Sequence, residues 1–240
     1  MKTKQIHLLI VGFLLIVGFS SCMDDIFIQG NGNLETQNRS ITGFDEVNSG
    51  GDFNVTVMPG SEYSVVVKAE SNLLPYIETY LSGRTLKIGT NGIHSLNHNF
   101  PIEVLITLPE LKGLSLSGSG QLYTGSFACE NIQIALSGSG DIDTEISAKK
   151  VKANISGSGT ILLAGEAFES EFRISGSGKI KAYDLVQDRC QSSISGSGDM
   201  YVNVSETLYA GISGSGKIFY INHPVLQVSI SGSGKVVDKN

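Results

Sequence analysis

The tetrapeptide Ser-Gly-Ser-Gly recurs seven times in the second half of this 240-residue chain, beginning at Ser117, Ser137, Ser156, Ser175, Ser195, Ser213 and Ser231. The copies are spaced 20, 19, 19, 20, 18 and 18 residues apart. A unit this short cannot bury its own apolar face, so it has to stack on its neighbours, and a period near 20 is that of a solenoid. Aligned on the first serine, the residue before the motif is Leu116, Leu136, Ile155, Ile174, Ile194, Ile212 and Ile230. Two residues past the motif stand Leu122, Ile142, Ile161, Ile180, Met200, Ile218 and Val236. Burial at positions of one parity is the pattern of a strand. Two strand segments and a turn leave no room for a crossover helix, so each repeat is predicted to form one coil of a right-handed parallel β-helix, with rungs about 4.8 Å apart.

Glycine twice per coil lets the backbone bend at a corner or pass close to the interior. On a straight strand both glycines would point inward and both serines outward. The serines then form two ladders, Ser117, Ser137, Ser156, Ser175, Ser195, Ser213 and Ser231 in one, and Ser119, Ser139, Ser158, Ser177, Ser197, Ser215 and Ser233 in the other. These ladders are a candidate flat surface for a glycan or for ice, an idea that fails if the glycines bend the strand. The alternative is that serine is simply the small polar residue that suits a glycine corner. The position after the motif places Asp199 between Lys179 and Lys217 on adjacent rungs, a favourable order for stacked strands.

Ahead of the repeats, Lys2 and Lys4 precede a 14-residue apolar run from Ile6 to Phe19. That run is too short to span a bilayer, and 1–21 reads as a secretory signal. Ser20-Ser21-Cys22 resembles a bacterial lipobox, which predicts acylation of Cys22 and attachment to a membrane through the N-terminus. Asp24 and Asp25 resemble a surface-export signal, so an outer-membrane, surface-facing location is expected, with a periplasm-facing one as the alternative. Residues 22–39 are polar and rich in Gly and Asn, and are predicted to be a flexible tether. Residues 40–113 are expected to make irregular coils and a cap, and 114–240 the repeat array, within one β-helical domain. Charges in Lys235-Val-Val-Asp-Lys-Asn240 are expected to discourage pairing at the open end.

Phe44-Asp-Glu-Val47, Val57-Met-Pro-Gly60, Glu70-Ser-Asn-Leu-Leu-Pro-Tyr-Ile77 and the repeated motif together resemble the auto-transporter adhesin family, also called the head GIN domain, from about residue 40 to 240. The resemblance implies a secreted or surface β-helical protein and supplies no catalytic residues.

A net charge of -6 offers no basic stripe for nucleic acid. There is no Trp to serve as a sugar platform, although eight Tyr remain. His94 and His98 lie in a loop-like sequence without a nearby third ligand, so neither a metal nor a cofactor is expected there. Cys129 and Cys190 are predicted to stand three rungs apart, roughly 14 Å, and therefore to be free. Asp141, Asp143 and Glu145 share a strand face, but the next rung answers with Thr160 and Leu162 and provides no lysine or arginine base for a polysaccharide lyase. The reading that follows is a non-catalytic binding or adhesion module of the cell envelope, with a glycan or a host or envelope protein as partner. A structural or signalling envelope component is the second reading and a polysaccharide-acting enzyme the third. Clustered acids with a base in a groove would mark an enzyme; an exposed tyrosine or serine face without them would mark a binder.

Overall fold

A computed structural model describes residues 26–240 apart from Ile93. The predicted signal segment and Cys22 lie outside the described residues. Strands follow one another as β1 (Ile26–Gln29), β2 (Leu34–Asn38), β3 (Glu46–Gly50), β4 (Asn54–Pro59), β5 (Ser64–Glu70), β6 (Ile77–Ser82), β7 (Thr85–Thr90), β8 (His94–Asn97) and β9 (Glu103–Leu108). Next come β10 (Gly113–Gly118), β11 (Gln121–Gly138), β12 (Asp141–Gly157), β13 (Thr160–Gly176), β14 (Lys179–Gly196) and β15 (Asp199–Gly214). The last are β16 (Lys217–Ile221), β17 (Val225–Gly232) and β18 (Lys235–Asp238). From β10 onward every pairing is parallel, and each motif stacks on the next in register, Ser117 on Ser137, Ser137 on Ser156, Ser156 on Ser175. The chain is a β-solenoid of stacked coils, as its period requires.

Each coil has a wall before the Ser-Gly-Ser-Gly corner and a wall after it. Alternate residues of both walls fill the interior: Ile134, Leu136, Ile142 and Ile146 in one coil, Ala153, Ile155, Ile161 and Leu163 in the next, all buried. The second glycine of each inner motif is buried, because a Cβ at Gly140 would stand 2.3 Å from the Gly120 oxygen and 2.8 Å from Leu116 Cδ2. The first glycine has a positive φ in all seven motifs, for example 142° at Gly157. The strand therefore bends within the motif. Both serines of every copy are exposed, but the flat surface expected of a straight strand is not formed, since only a glycine backbone can turn this way and the turn separates the two serine columns.

An eighth corner escaped the motif search. Gly50 pairs with Ser117, Gly51 has φ 129°, and the Gln121 amide donates to the Phe53 oxygen, so Gly50-Gly51-Asp52-Phe53 stands in the place of the tetrapeptide one rung earlier. Beyond that rung, β7 stacks on β3 and β9 on β4, and the antiparallel strands β6, β5 and β2 close this end. Asp45 pins the cap: its carboxylate meets Arg84 at 2.9 Å and Lys112 at 3.1 Å. Burial opposes ionisation of Asp45, yet the hydrogen bonds from Arg84 and Lys112 outweigh it and hold the carboxyl below its usual value.

The tether expected at 22–39 is corrected by the structure over its described part. Residues 26–38 hold two strands, β1 parallel to β8 and β2 antiparallel to β5. What secures them is Glu70, fully buried, which accepts from the Gly32 amide at 2.6 Å, the Asn99 amide at 2.8 Å and Asn99 Nδ2 at 2.7 Å. The Asn99 side chain foremost, with these amides, holds the Glu70 carboxyl below its usual value. At the opposite end, the charges of the last coil sit on β18 and just after it, while β17 carries none and is exposed along its whole length.

Candidate functional site

Backbone polar groups at the serine edge are used between rungs: the Ser139 and Gly140 amides both donate to the Gly118 oxygen at 3.0 Å. The side chains are not. None of the fourteen ladder hydroxyls, from Ser117 and Ser119 to Ser231 and Ser233, has a hydrogen-bond partner among the described residues. Two columns of free hydroxyls thus run up the corner at rung spacing.

Chemistry of a different kind gathers on the wall after the corner. The outward column three residues past the motif reads Tyr123, Asp143, Leu162, Lys181, Tyr201 and Phe219, each paired in register with the next. Into this column β14 inserts extra chain. Ala182 pairs with Val202 but Val186 pairs with Asn203, so Tyr183, Asp184 and Leu185 have no counterpart in β15. Leu185 turns into the core, whereas Tyr183 and Asp184 stand out from the wall. Asn203 holds the bulge by donating Nδ2 to the Tyr183 oxygen at 2.9 Å. Tyr183 then meets Tyr201 edge-on at 5.5 Å, and Tyr201 stacks on Phe219 at 4.9 Å.

Beneath the bulge lies a cleft of about 580 Å³, lined chiefly by Asp143, Leu162, Lys181, Tyr183, Asp184 and Tyr201. A second hollow of about 390 Å³ shares Asp143, Leu162 and Lys181 and extends to Gln121 and Tyr123. Burial, more than neighbouring charge, pushes the phenols of Tyr183 and Tyr201 above their usual value, so both are neutral O–H donors. Asp143, Lys181 and Asp184 make no ion pair among the described residues. Apolar ring faces beside a few convergent polar groups are the ingredients a small-molecule site requires.

The acids Asp141 and Asp143 pair with Thr160 and Leu162, the neighbours read from the repeat alignment, and Glu145 pairs with Ala164. A basic group does reach Asp143, from two rungs away rather than one: Lys181 lines the same cleft, with Leu162 between them in the column. At that separation, about 9.6 Å along the axis, and fully solvated, Lys181 is not placed as a base against stacked acids. Asp199 stacks between Lys179 and Lys217 as expected, though no ion pair joins them. Cys129 and Cys190 are both free, and Cys190, buried beside the Ser170 and Ser192 hydroxyls, has its thiol pushed up to about 11 by burial, which outweighs those hydrogen bonds. His98 Nε2 lies 3.4 Å from Asp52, and the His94 side chain lies outside the described residues.

Sequence reasoning missed the tyrosine cleft. Two signals pointed to it: the column one strand position beyond the one that was aligned, and the 20-residue interval after Ser175, two residues longer than the interval that follows it.

Known proteins bear on this geometry. No curated protein is matched by the chain. Among solved structures, a putative adhesin from Bacteroides fragilis NCTC 9343 superposes with a TM-score of 0.84 at 23% identity, covering 88% of this chain and 100% of its own. A putative lipid binding protein from Parabacteroides distasonis ATCC 8503 gives 0.77 at 27% identity over 89% of this chain and 100% of its own. A putative adhesin from Parabacteroides merdae ATCC 43184 gives 0.74 at 23% identity, covering 90% of this chain and 100% of that one. The family and two of these three relatives carry adhesin names, and none of the three is named as an enzyme. The profile of the family described as putative auto-transporter adhesin, head GIN domain, matches residues 43–224, three quarters of the sequence, and the chain belongs to that family.

Proposed function

We propose that this protein is a non-catalytic adhesion module of the bacterial cell envelope, acylated at Cys22, carried on the outer membrane with its solenoid facing the exterior, and binding a saccharide in the tyrosine cleft. The observation that carries the ligand class is the pairing of the Tyr183 and Tyr201 rings with Asp143, Lys181 and Asp184 around one cleft. A sugar ring offers an apolar C–H face to an aromatic ring and hydroxyls to the charged groups at its rim, and tyrosine supplies both kinds of contact.

The test is binding of residues 26–240 to arrayed glycans and matrix proteins, with product analysis of each glycan bound. Saturable binding without turnover is expected, and Tyr201→Ala should weaken it about tenfold, a loss near 1.4 kcal/mol. Turnover of a bound glycan would make the protein an enzyme. Binding to protein ligands alone, unaffected by Tyr201→Ala, would favour the envelope-component reading.

A further inference from the structure

We propose that the β1–β8 ribbon is a membrane-seating surface, resting in the headgroup zone of the bilayer that holds the acylated N-terminus. The inference depends on acylation of Cys22, proposed above, and adds to it where the body sits. Cys22 lies only four Cα-to-Cα steps from Ile26, where β1 begins. At full extension they reach about 14 Å, against about 60 Å had the whole of 22–39 been a tether. The headgroup layer of one leaflet is itself about 5–8 Å thick, so β1 cannot stand clear of the membrane by much more than the width of a strand pair.

What the ribbon presents there suits a lipid surface. Phe27 is 70% exposed, while Leu96, of opposite parity, packs against the core. Phe100, just after β8, is 44% exposed. Apart from His94, no ionisable side chain lies on β1 or β8, so bringing this ribbon to lipid desolvates little charge. Its outward polar groups are amides already tied to one another, with Asn97 Nδ2 donating to Gln29 Oε1 at 2.7 Å and Gln29 Nε2 to Asn99 Oδ1 at 3.3 Å. An aromatic ring flanked by satisfied amides fits the membrane interface, where one side is apolar and the other wet. Asp24 and Asp25, between the anchor and Phe27, keep the seat shallow.

The chain has no tryptophan, so a single introduced indole reports without background. The full acylated protein carrying Phe27→Trp, and separately Tyr209→Trp on a distant exposed position, is reconstituted into phosphatidylcholine vesicles with brominated acyl chains, and acylation is verified by mass. Emission of the first variant is expected to shift to shorter wavelength and fall about twofold relative to unbrominated vesicles, while the second is unchanged. Acylated protein with an unquenched indole at position 27 overturns the seat and leaves the anchor standing. Equal quenching at both positions overturns it as well, since contact would not be particular to the ribbon. A Cys22 found unmodified in protein isolated from its own membrane removes the anchor and the seat together.

Discussion

Each Ser-Gly-Ser-Gly motif divides its work between residue types, and the division is testable one atom at a time. Gly157 has φ 142°, and a Cβ there would stand 2.3 Å from the Gly138 oxygen. Both the backbone conformation and the space exclude a side chain, so Gly157→Ala is expected to cost about 3 kcal/mol in urea unfolding. Ser156, its neighbour, is exposed and its hydroxyl is unpartnered, so Ser156→Ala should change stability by no more than about 0.5 kcal/mol. If the serine substitution proved as costly as the glycine one, the hydroxyl columns would have a structural role that the geometry does not give them. Asp45 provides the clearest pH dependence. Its folded carboxyl lies below the ordinary value of 3.8, so its ion pairs contribute fully above that value and are lost as pH falls through the lower folded one. Wild-type protein should therefore lose cap stability on acidification in that window. Asp45→Asn should weaken the protein at pH 7 by about 1–2 kcal/mol, discounted for the solvated partners Arg84 and Lys112, and flatten the acid limb of a Tm-against-pH curve.

At the scale of strands, the periodic part of the chain was legible and the aperiodic part was not. Leu136, Ile155 and Ile174 announce buried positions because the same parity is enforced in every rung by the same interior. The bulge at Tyr183-Asp184-Leu185 breaks that parity within its own rung, as a smaller irregularity between Tyr123 and Ser126 does in β11, and an alignment built on what repeats discards it, although it shapes the cleft. The corner at Gly50-Gly51 was hidden for a related reason, since Phe53 takes the place of the second glycine and fills the interior with a ring. Residues 26–38 misled by composition. Glycines and asparagines that read as a tether are there because Gly30 must lie against the Glu70 carboxylate, where a Cβ would fall 2.1 Å from Oε2, and because the Asn31 side chain donates to Ser71 Oγ and accepts from the Asn33 amide. Glu70 thus acts for a whole element. Glu70→Gln retains the shape but sets an NH2 group against N–H donors from Gly32 and Asn99. Hydrogen–deuterium exchange of the amides in β1 and β2 is expected to quicken in this variant while those of β12 and β13 stay protected. Unchanged exchange in β1 and β2 would mean that strand pairing alone holds them.

Over the whole molecule, contacts run almost entirely between adjacent rungs, so stability is distributed along the axis and depends on how many neighbours a rung has. Rungs in the middle have two. The N-terminal end is closed by antiparallel strands, the Asp45 ion pairs and the Glu70 latch. The last rung differs: Leu226, Val228 and Ile230 stand in the columns of Leu208, Ala210 and Ile212, all buried, yet they are themselves exposed. The same substitution should therefore have a graded cost along the solenoid. Ile155→Ala, which empties a site 2% exposed between two rungs, is expected to cost about 2–5 kcal/mol. Ile230→Ala, in the same column but 43% exposed, should cost about 1 kcal/mol or less. Urea unfolding of residues 26–240 measures both, and amide exchange places the difference, with β17 and β18 opening before β12 to β14. Equal costs at the two positions would show that the last rung is covered in solution, because an isoleucine left in water has little transfer free energy to lose.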